Sequence, residues 1–209
     1  MAHKYQTLTT AIKQQYDYSL EMLREITEAC PDEIWTKKAG LYPFWQQIYH
    51  AIYWTDYNIQ ESKDGEKIFS WKTEKKITHE LNAENNISSE YSELIRNPSR
   101  LSRQNREKHG FSPPLRRDGF SLNSLYLTRE EIRSYFQAFT KKKDSFFCKI
   151  EDSALLAPIP HRQDGCTYLD IITNQIRHIM YHVGHCDCIL REHGYSAVAW
   201  LSIYGRMER

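Results

Sequence analysis

The sequence predicts an all-α protein: an antiparallel four-helix bundle with one long crossover insertion between its second and third helices. Four segments repeat apolar residues at intervals of three and four, the spacing that places them on one face of an α-helix. No segment alternates apolar and polar residues as a half-buried strand does, and no unit of about 20 to 50 residues recurs. Packing four such helices together is the most economical way to bury their apolar faces. Residues 1–209 are therefore expected to form a single domain.

The first helix is predicted from about Lys4 to Ala29, and Pro31 ends it. Its apolar face consists of Leu8, Ile12, Tyr16, Leu20, Leu23 and Ile26. The second helix is predicted from about Pro43 to Glu61, because proline suits the first turn. Apolar and aromatic residues surround the second helix almost completely, so we expect it to lie deep in the core.

The third helix is predicted to begin at Thr128. The Thr128 hydroxyl can accept a hydrogen bond from the Glu131 amide while the Glu131 carboxylate reaches back, which forms a capping box. The apolar face of this helix consists of Ile132, Phe136, Phe139, Phe146 and Ile150. The fourth helix is predicted from near Thr167 to Gly194, because glycine suits the left-handed position after a helix C-terminus.

Residues 62–127 form the polar insertion, and few apolar residues interrupt them. We expect this segment to pack a short helix, Ser88–Arg96, over one end of the bundle. The stretch from Arg96 to Arg117 carries seven Lys or Arg residues and one acid, Glu107. Because no aromatic platform for stacking on bases is interleaved with these charges, the stretch favours a solvated crossover over a nucleic-acid site.

Composition excludes several classes of protein. Lys and Arg number 28 against 27 Asp and Glu, so net charge does not indicate a polyanionic partner. No apolar run is long enough for a signal peptide or a membrane span, and we expect a cytoplasmic protein.

The five cysteines are expected to be reduced. Cys186 and Cys188 point about 200° apart on a helix, so we expect ordinary buried thiols and not a pair of metal ligands.

The fourth helix contains the run NQIRHIMYHVGHCDCILREHG, in which His178 and His182 are four residues apart. This spacing places two imidazoles one turn apart on one face, as two histidines that bind one metal ion require. His185 continues the same face three residues later. The apolar neighbours make this a core helix, in which unpaired imidazoles would be costly. We therefore predict that His178 and His182 bind a metal ion.

A third ligand must come from elsewhere in the chain, and His50 is the strongest candidate because it lies within WQQIYHAIYW in the most apolar helix. A hydrogen-bonded core histidine is the alternative, and the sequence leaves both open. Ile179 follows His178 where zinc peptidases have the glutamate base, so peptide hydrolysis of that type is disfavoured. No glycine-rich phosphate loop is present, which disfavours kinases, NTPases and dinucleotide enzymes.

These features resemble the DinB/YfiT-like family of metal-dependent enzymes. The resemblance depends on His50, on RHIMYHVGH followed by ILREHG, and on the order of the four helices. It implies a bundle with an opened cleft in which His50, His178 and His182 hold a zinc, nickel or similar divalent ion. It also implies a homodimer, and a thiol-cofactor enzyme such as a bacillithiol transferase or a mycothiol-dependent isomerase. The chain departs from the family pattern at His185, where glutamine often follows the glycine.

Three neutral imidazoles leave a coordination position open for water, whose pKa would fall to about 7, or for a thiol. The sequence thus predicts either the transfer of a low-molecular-weight thiol to an electrophile or the hydrolysis of a small substrate. Tyr53 and Trp54 are candidates for lining the substrate pocket, with core aromatics as the alternative. His185 and Tyr53 are the catalytic candidates, and His185 would act as a proton donor or as a partner that orients a ligand imidazole. Asn174 is a candidate for the same orienting role and for the substrate pocket.

The competing hypothesis is a non-enzymatic protein. Its metal would be a structural strut, or its basic loop would contact a partner in a stress response. The apolar tail from Tyr195 to Arg209 must either fold back or cover a partner subunit, which is consistent with a homodimer. We otherwise expect a small-molecule substrate, no membrane and no nucleic acid as partners.

Overall fold

The computed structural model describes residues 7–39, 42–59, 69–73, 126–160, 164–196, 198–202 and 205–207. Most of these residues are helical, as predicted for an all-α protein. The predicted short helix Ser88–Arg96 and the basic stretch from Arg96 to Arg117 lie outside the described residues. None of the described helices is both long enough and apolar enough to span a membrane.

All four predicted helices are present. They are α1 (Leu8–Ala29), α3 (Phe44–Asn58), α4 (Arg129–Lys149) and α6 (Tyr168–Glu192). Two short helices, α2 (Asp32–Trp35) and α5 (Asp152–Leu156), lie between them. Two antiparallel pairs of short strands complete the described elements: β1 (Lys38–Ala39) with β2 (Tyr42–Pro43), and β3 (Trp200–Ser202) with β4 (Gly205–Met207). Strands of two or three residues are too short to show alternation in a sequence.

The ends of the first two long helices differ from the prediction. The Thr7 hydroxyl accepts a hydrogen bond from the Thr10 amide at 3.1 Å, and this cap begins α1 at Leu8. The predicted start at Lys4 lies outside the described residues. Helix α3 ends at Asn58, because Ile59 is extended, so it does not reach Glu61 as predicted. Pro43 stands immediately before its first turn.

The predicted caps of the last two long helices are confirmed. The Glu131 amide donates to the Thr128 hydroxyl at 3.3 Å, and the Thr128 amide donates to the Glu131 carboxylate at 2.7 Å. Thr167 forms a second capping box with Asp170. Gly194 has a φ of 83°, a conformation that favours glycine, and it follows the end of α6 as predicted.

The four long helices surround one hydrophobic core. Helix α1 packs against α6 and α4, and α3 packs against the same two helices. Ten of the fifteen residues of α3 are buried, which confirms its predicted position deep in the core. The core residues that are completely buried include Tyr16, Leu23, Ile26, Phe44, Ile48, Ile52, Ile132, Phe139 and Ile179.

The described part of the C-terminal tail folds back on the helices. Val198 and Leu201 pack partly buried against the core, and β3 contacts α1. The Val198 amide donates to the Asp187 carboxylate at 3.3 Å. Ile203 and Tyr204 of the same apolar tail lie outside the described residues.

No disulfide joins the five cysteines, all of which lie among the described residues. Cys186 is buried in the core, whereas Cys188 is exposed. The two side chains therefore point in different directions, as helix geometry predicts. The expectation that both are buried is wrong for Cys188, because this residue lies on the solvent-facing side of α6.

The buried carboxylate of Asp56 connects part of the crossover insertion to the helices through hydrogen bonds and an ion pair. Asp56 of α3 is completely buried, and its carboxylate accepts from Lys142 of α4 at 2.6 Å. The Tyr135 hydroxyl donates to the same carboxylate at 3.1 Å. The amide and the hydroxyl of Ser70 also donate to it, at 2.8 and 2.9 Å. The carboxylate thus receives hydrogen bonds from a residue of the insertion and from two residues of α4.

Two aromatic stacks support the same attachment. The ring of Phe69 stacks on Tyr53 of α3 with centroids 4.8 Å apart. The ring of Trp71 stacks on Tyr135 of α4 with centroids 5.0 Å apart. Residues 69–73 are therefore attached to both α3 and α4 close to the Asp56 carboxylate.

Candidate metal centre

Three histidines from two helices converge on one point. His50 lies in the middle of α3, and His178 and His182 lie one turn apart on α6. The Nε2 atom of His178 is 3.2 Å from Nε2 of His50 and 3.1 Å from Nε2 of His182. The prediction that these three residues meet is confirmed.

The arrangement of the nitrogens fits a divalent metal ion. Each histidine offers one ligand nitrogen, and these atoms all lie within 4.8 Å of one another. Tetrahedral coordination with metal–nitrogen distances of about 2.0–2.1 Å places two ligand nitrogens about 3.3 Å apart. The two measured separations, 3.1 and 3.2 Å, are close to that value. The residues present therefore fit a three-histidine site with a further position for a non-protein ligand.

The hydrogen-bonding capacity of the rings also favours a cation. Nε2 of His178 lies at short distance from two other ring nitrogens, and one imidazole hydrogen on this atom could satisfy only one of the two contacts. Nδ1 of the same ring is buried and has no hydrogen-bond partner among the described residues. A cation between the rings would use the converging Nε2 lone pairs, and Nδ1 of His178 would then carry the ring hydrogen.

Two of the three rings, His178 and His182, are held in the neutral form that metal ligation requires. His182 is only 2% exposed, and its burial together with His178 and His50 lowers its pKa to about 3. Burial and the nearby His50 lower the pKa of His178 to about 4. At neutral pH both rings therefore carry a free lone pair, and protons do not compete with a metal for it.

These pKa values predict how acid affects the metal-free protein. His178 and His182 have pKa values of about 4 and 3 in the folded state, against an ordinary value of 6.5. The unfolded chain therefore binds more protons below pH 6.5, and the free energy of unfolding decreases as the pH falls from 6.5 towards 4. Urea denaturation at several pH values measures this decrease. His182→Gln, which cannot titrate, should weaken the dependence, and an identical dependence in both proteins would contradict the prediction.

Gln47 is a member of the site that the sequence reasoning missed. It is 1% exposed and lies one turn before His50 on α3. Its Oε1 atom is 3.0 Å from Nδ1 of His182. An amide oxygen only accepts, so Nδ1 of His182 donates and the lone pair on its Nε2 faces the other two rings. A buried amide on the helix that carries His50, three residues away, was the available signal.

Replacing Gln47 by Leu is expected to weaken metal binding by about 10- to 100-fold, because His182 loses the partner that fixes its tautomer and orientation. Competition with a chromophoric chelator measures the zinc affinity. Gln46→Leu is the matched control, because Gln46 is the adjacent buried glutamine and forms no hydrogen bond to the three imidazoles in the described part of the chain. Equal zinc affinities of the two variants would remove Gln47 from the site.

The two aromatic residues predicted for the substrate pocket occupy different surroundings. The ring of Trp54 lies edge-on to His50 with centroids 6.4 Å apart, and it is partly exposed. Tyr53 lies among Tyr49, Tyr57 and Phe69, with ring centroids 4.8–6.4 Å away. Trp54 therefore borders the histidine cluster, whereas Tyr53 packs within an aromatic group beside it.

The two polar candidates on α6 do not contact the ligand imidazoles directly. His185 is half-buried, and its ring lies 6.2 Å from Tyr181, which in turn lies edge-on to His182 at 5.2 Å. Asn174 is exposed, and its amide oxygen accepts from Arg177 at 3.1 Å. The partner that His182 does have is Gln47, and Tyr181 is a neighbour that the sequence reasoning had not singled out.

Comparison of the chain with protein-family models, with curated proteins and with solved structures found no match. The function is therefore argued from the site itself.

Proposed function

We propose that this protein is a metal-dependent enzyme in which His50, His178 and His182 bind one divalent ion, zinc or nickel. The observation that carries the proposal is the convergence of three imidazoles between α3 and α6, with Nε2 of His178 at 3.2 Å from Nε2 of His50 and at 3.1 Å from Nε2 of His182. Neutral imidazoles suit both metals. The order of the helices and the histidine motifs support a DinB/YfiT-like four-helix bundle, and we propose a homodimer on the same resemblance.

The reaction that we propose is the transfer of a low-molecular-weight thiol to an electrophile. A divalent ion held by three imidazoles has a position for one more ligand, and it lowers the pKa of the thiol or water that binds there. Gln47 orients His182, and the partly exposed Trp54 ring beside His50 supplies an apolar wall for an electrophile. Tyr181 is 67% exposed and lies between the rings of His182 and His185, so the proton donor that we propose, His185, lies on the side of the site where Tyr181 faces solvent.

The experiment is a titration of the cobalt-substituted protein with N-acetylcysteine, followed by absorption spectroscopy. We expect a new thiolate-to-cobalt band that saturates at one thiol per cobalt. His182→Ala, which removes a ligand, should not develop the band. If one equivalent of cobalt is bound and no thiol changes its spectrum, thiol transfer is wrong and hydrolysis by the same three ligands takes its place.

A structural metal is the competing interpretation, and it gives a different result. If the ion is only a strut, its removal by a chelator should unfold the protein. For a reactive site we expect the metal-free protein to stay folded and to keep its helical circular dichroism signal. The extensive core around α3 supports this expectation, because it does not depend on the three imidazoles.

A further inference from the structure

A cavity of about 520 Å³ lies between the C-terminal end of α3 and the first turns of α6. Asn58 lines it from α3, Asn174 and Arg177 line it from α6, and Leu169 and Ile171 give it apolar surface. The sequence had predicted Asn174 as a pocket residue, and it does line this cavity. Tyr53 and Trp54, the aromatic residues predicted for the substrate pocket, are not among the lining residues.

The cavity lies about one helical turn from the histidines along α6, and none of the three histidines lines it. Helices α3 and α6 run antiparallel, because Gln47 contacts His182 whereas Thr55, further along α3, contacts Gln175 at 3.3 Å. Asn174 is one turn before His178 on α6, which corresponds to about 6 Å along the helix axis. A small molecule in the cavity can therefore extend towards the histidine cluster.

Arg177 stands out from the other arginines of the described helices. Its guanidinium donates to Asn174 at 3.1 Å, and no carboxylate pairs with it among the described residues. Four other arginines in these helices each pair with an acid: Arg24 with Glu21, Arg129 with Asp32, Arg133 with Glu28, and Arg191 with Asp187. A guanidinium without an acidic partner at the edge of a cavity is suited to a planar anion, which it can bind through two parallel hydrogen bonds.

Asp170 also lines the cavity, and it restricts the charge of the ligand. Its Oδ2 atom accepts from the amide and the hydroxyl of Thr167 at 2.9 and 2.7 Å, so this carboxylate is engaged as the cap of α6. Its negative charge would repel a dianion such as a phosphate ester more strongly than a carboxylate with one charge. The charges around the cavity thus favour a carboxylate.

We infer that the cavity binds the carboxylate end of the substrate, with Arg177 and Asn174 holding the carboxylate while the reacting end extends to the three histidines. This inference rests on the proposed metal-dependent function and adds the substrate class, a small carboxylic acid. The apolar side chains of Leu169 and Ile171 would pack against the hydrocarbon part of that acid.

Pairs of thiols of equal length test the inference in the cobalt-substituted protein. The probes are 3-mercaptopropionate against 3-mercaptopropanol, and 6-mercaptohexanoate against 6-mercaptohexanol. For the chain length that spans the two positions, we expect the acid to bind about fivefold more tightly than the alcohol. Arg177→Gln should remove this difference while leaving the metal content and the affinity for the alcohol unchanged. Arg191→Gln, on the same helix but paired with Asp187, is the control and should keep the difference.

A second measurement separates this inference from the proposed function. Saturation-transfer NMR of hexanoate with the metal-free protein reports on the cavity without any metal. If Arg177→Gln weakens hexanoate binding but no thiol changes the cobalt spectrum, the carboxylate site is supported and thiol transfer fails. If acid and alcohol bind equally at both chain lengths, or if Arg177→Gln leaves the preference for the acid intact, the inference is overturned.

Discussion

Replacing Asp56 by Leu is expected to lower the free energy of unfolding by about 3–5 kcal/mol, the usual cost of leaving a buried charge without its partner. Lys142, whose side chain is 8% exposed, would lose the carboxylate that lies 2.6 Å from its Nζ atom. The Tyr135 hydroxyl and the Ser70 amide would lose the same acceptor. Urea denaturation monitored by circular dichroism measures the change.

Two further variants test the reason for this loss. Combining Asp56→Leu with Lys142→Met removes both charges, so the double variant should be more stable than Asp56→Leu alone. Glu130→Ala breaks an ion pair with Arg133 in which the Glu130 side chain is 76% exposed, and it should change stability little. If Asp56→Leu were as stable as Glu130→Ala, the buried ion pair would not be important for the fold.

Replacing His178 by Ala is expected to cause the largest loss of metal binding. Its Nε2 atom is within 3.2 Å of Nε2 in both His50 and His182, so it is the central member of the cluster. The metal affinity should fall by more than about 10- to 100-fold, which is the typical loss when only a hydrogen-bond partner of a ligand is removed. Metal analysis after dialysis against a weak chelator measures the bound zinc.

The control for this variant is His193→Ala. His193 follows α6, and its Nδ1 atom lies 2.8 Å from the Ile189 carbonyl, away from the three-histidine group. This variant should keep one equivalent of zinc. Full zinc content in His178→Ala would remove His178 from the metal site and with it the proposed chemistry.

Features that depend on neighbouring residues could be predicted from the sequence. The capping box at Thr128, the glycine at the end of α6 and the shared face of His178 and His182 all involve residues within four positions of one another. Local hydrogen bonding and helix periodicity fix such features before any tertiary contact forms.

Features that depend on how the helices face each other could not be predicted in the same way. The contact between Gln47 and His182 requires the rotation of α3 against α6, and the ion pair of Asp56 with Lys142 requires the position of α4. Helix periodicity gives the buried face of each helix but not the partner of each side chain. Only the convergence of His50 with the other two histidines could be anticipated, and that step depended on the family resemblance.

Because the three histidines lie on two helices, a metal ion bound between them would have a mechanical effect as well as a chemical one. His50 belongs to α3, whereas the other two histidines belong to α6. A bound ion would therefore cross-link two helices whose ligands, His50 and His178, are 128 positions apart in sequence. Transient separation of these helices would have to break metal–nitrogen bonds. We therefore expect metal occupancy to slow local opening of the α3–α6 interface, while the packing of α1 against α4 keeps its own rate of opening.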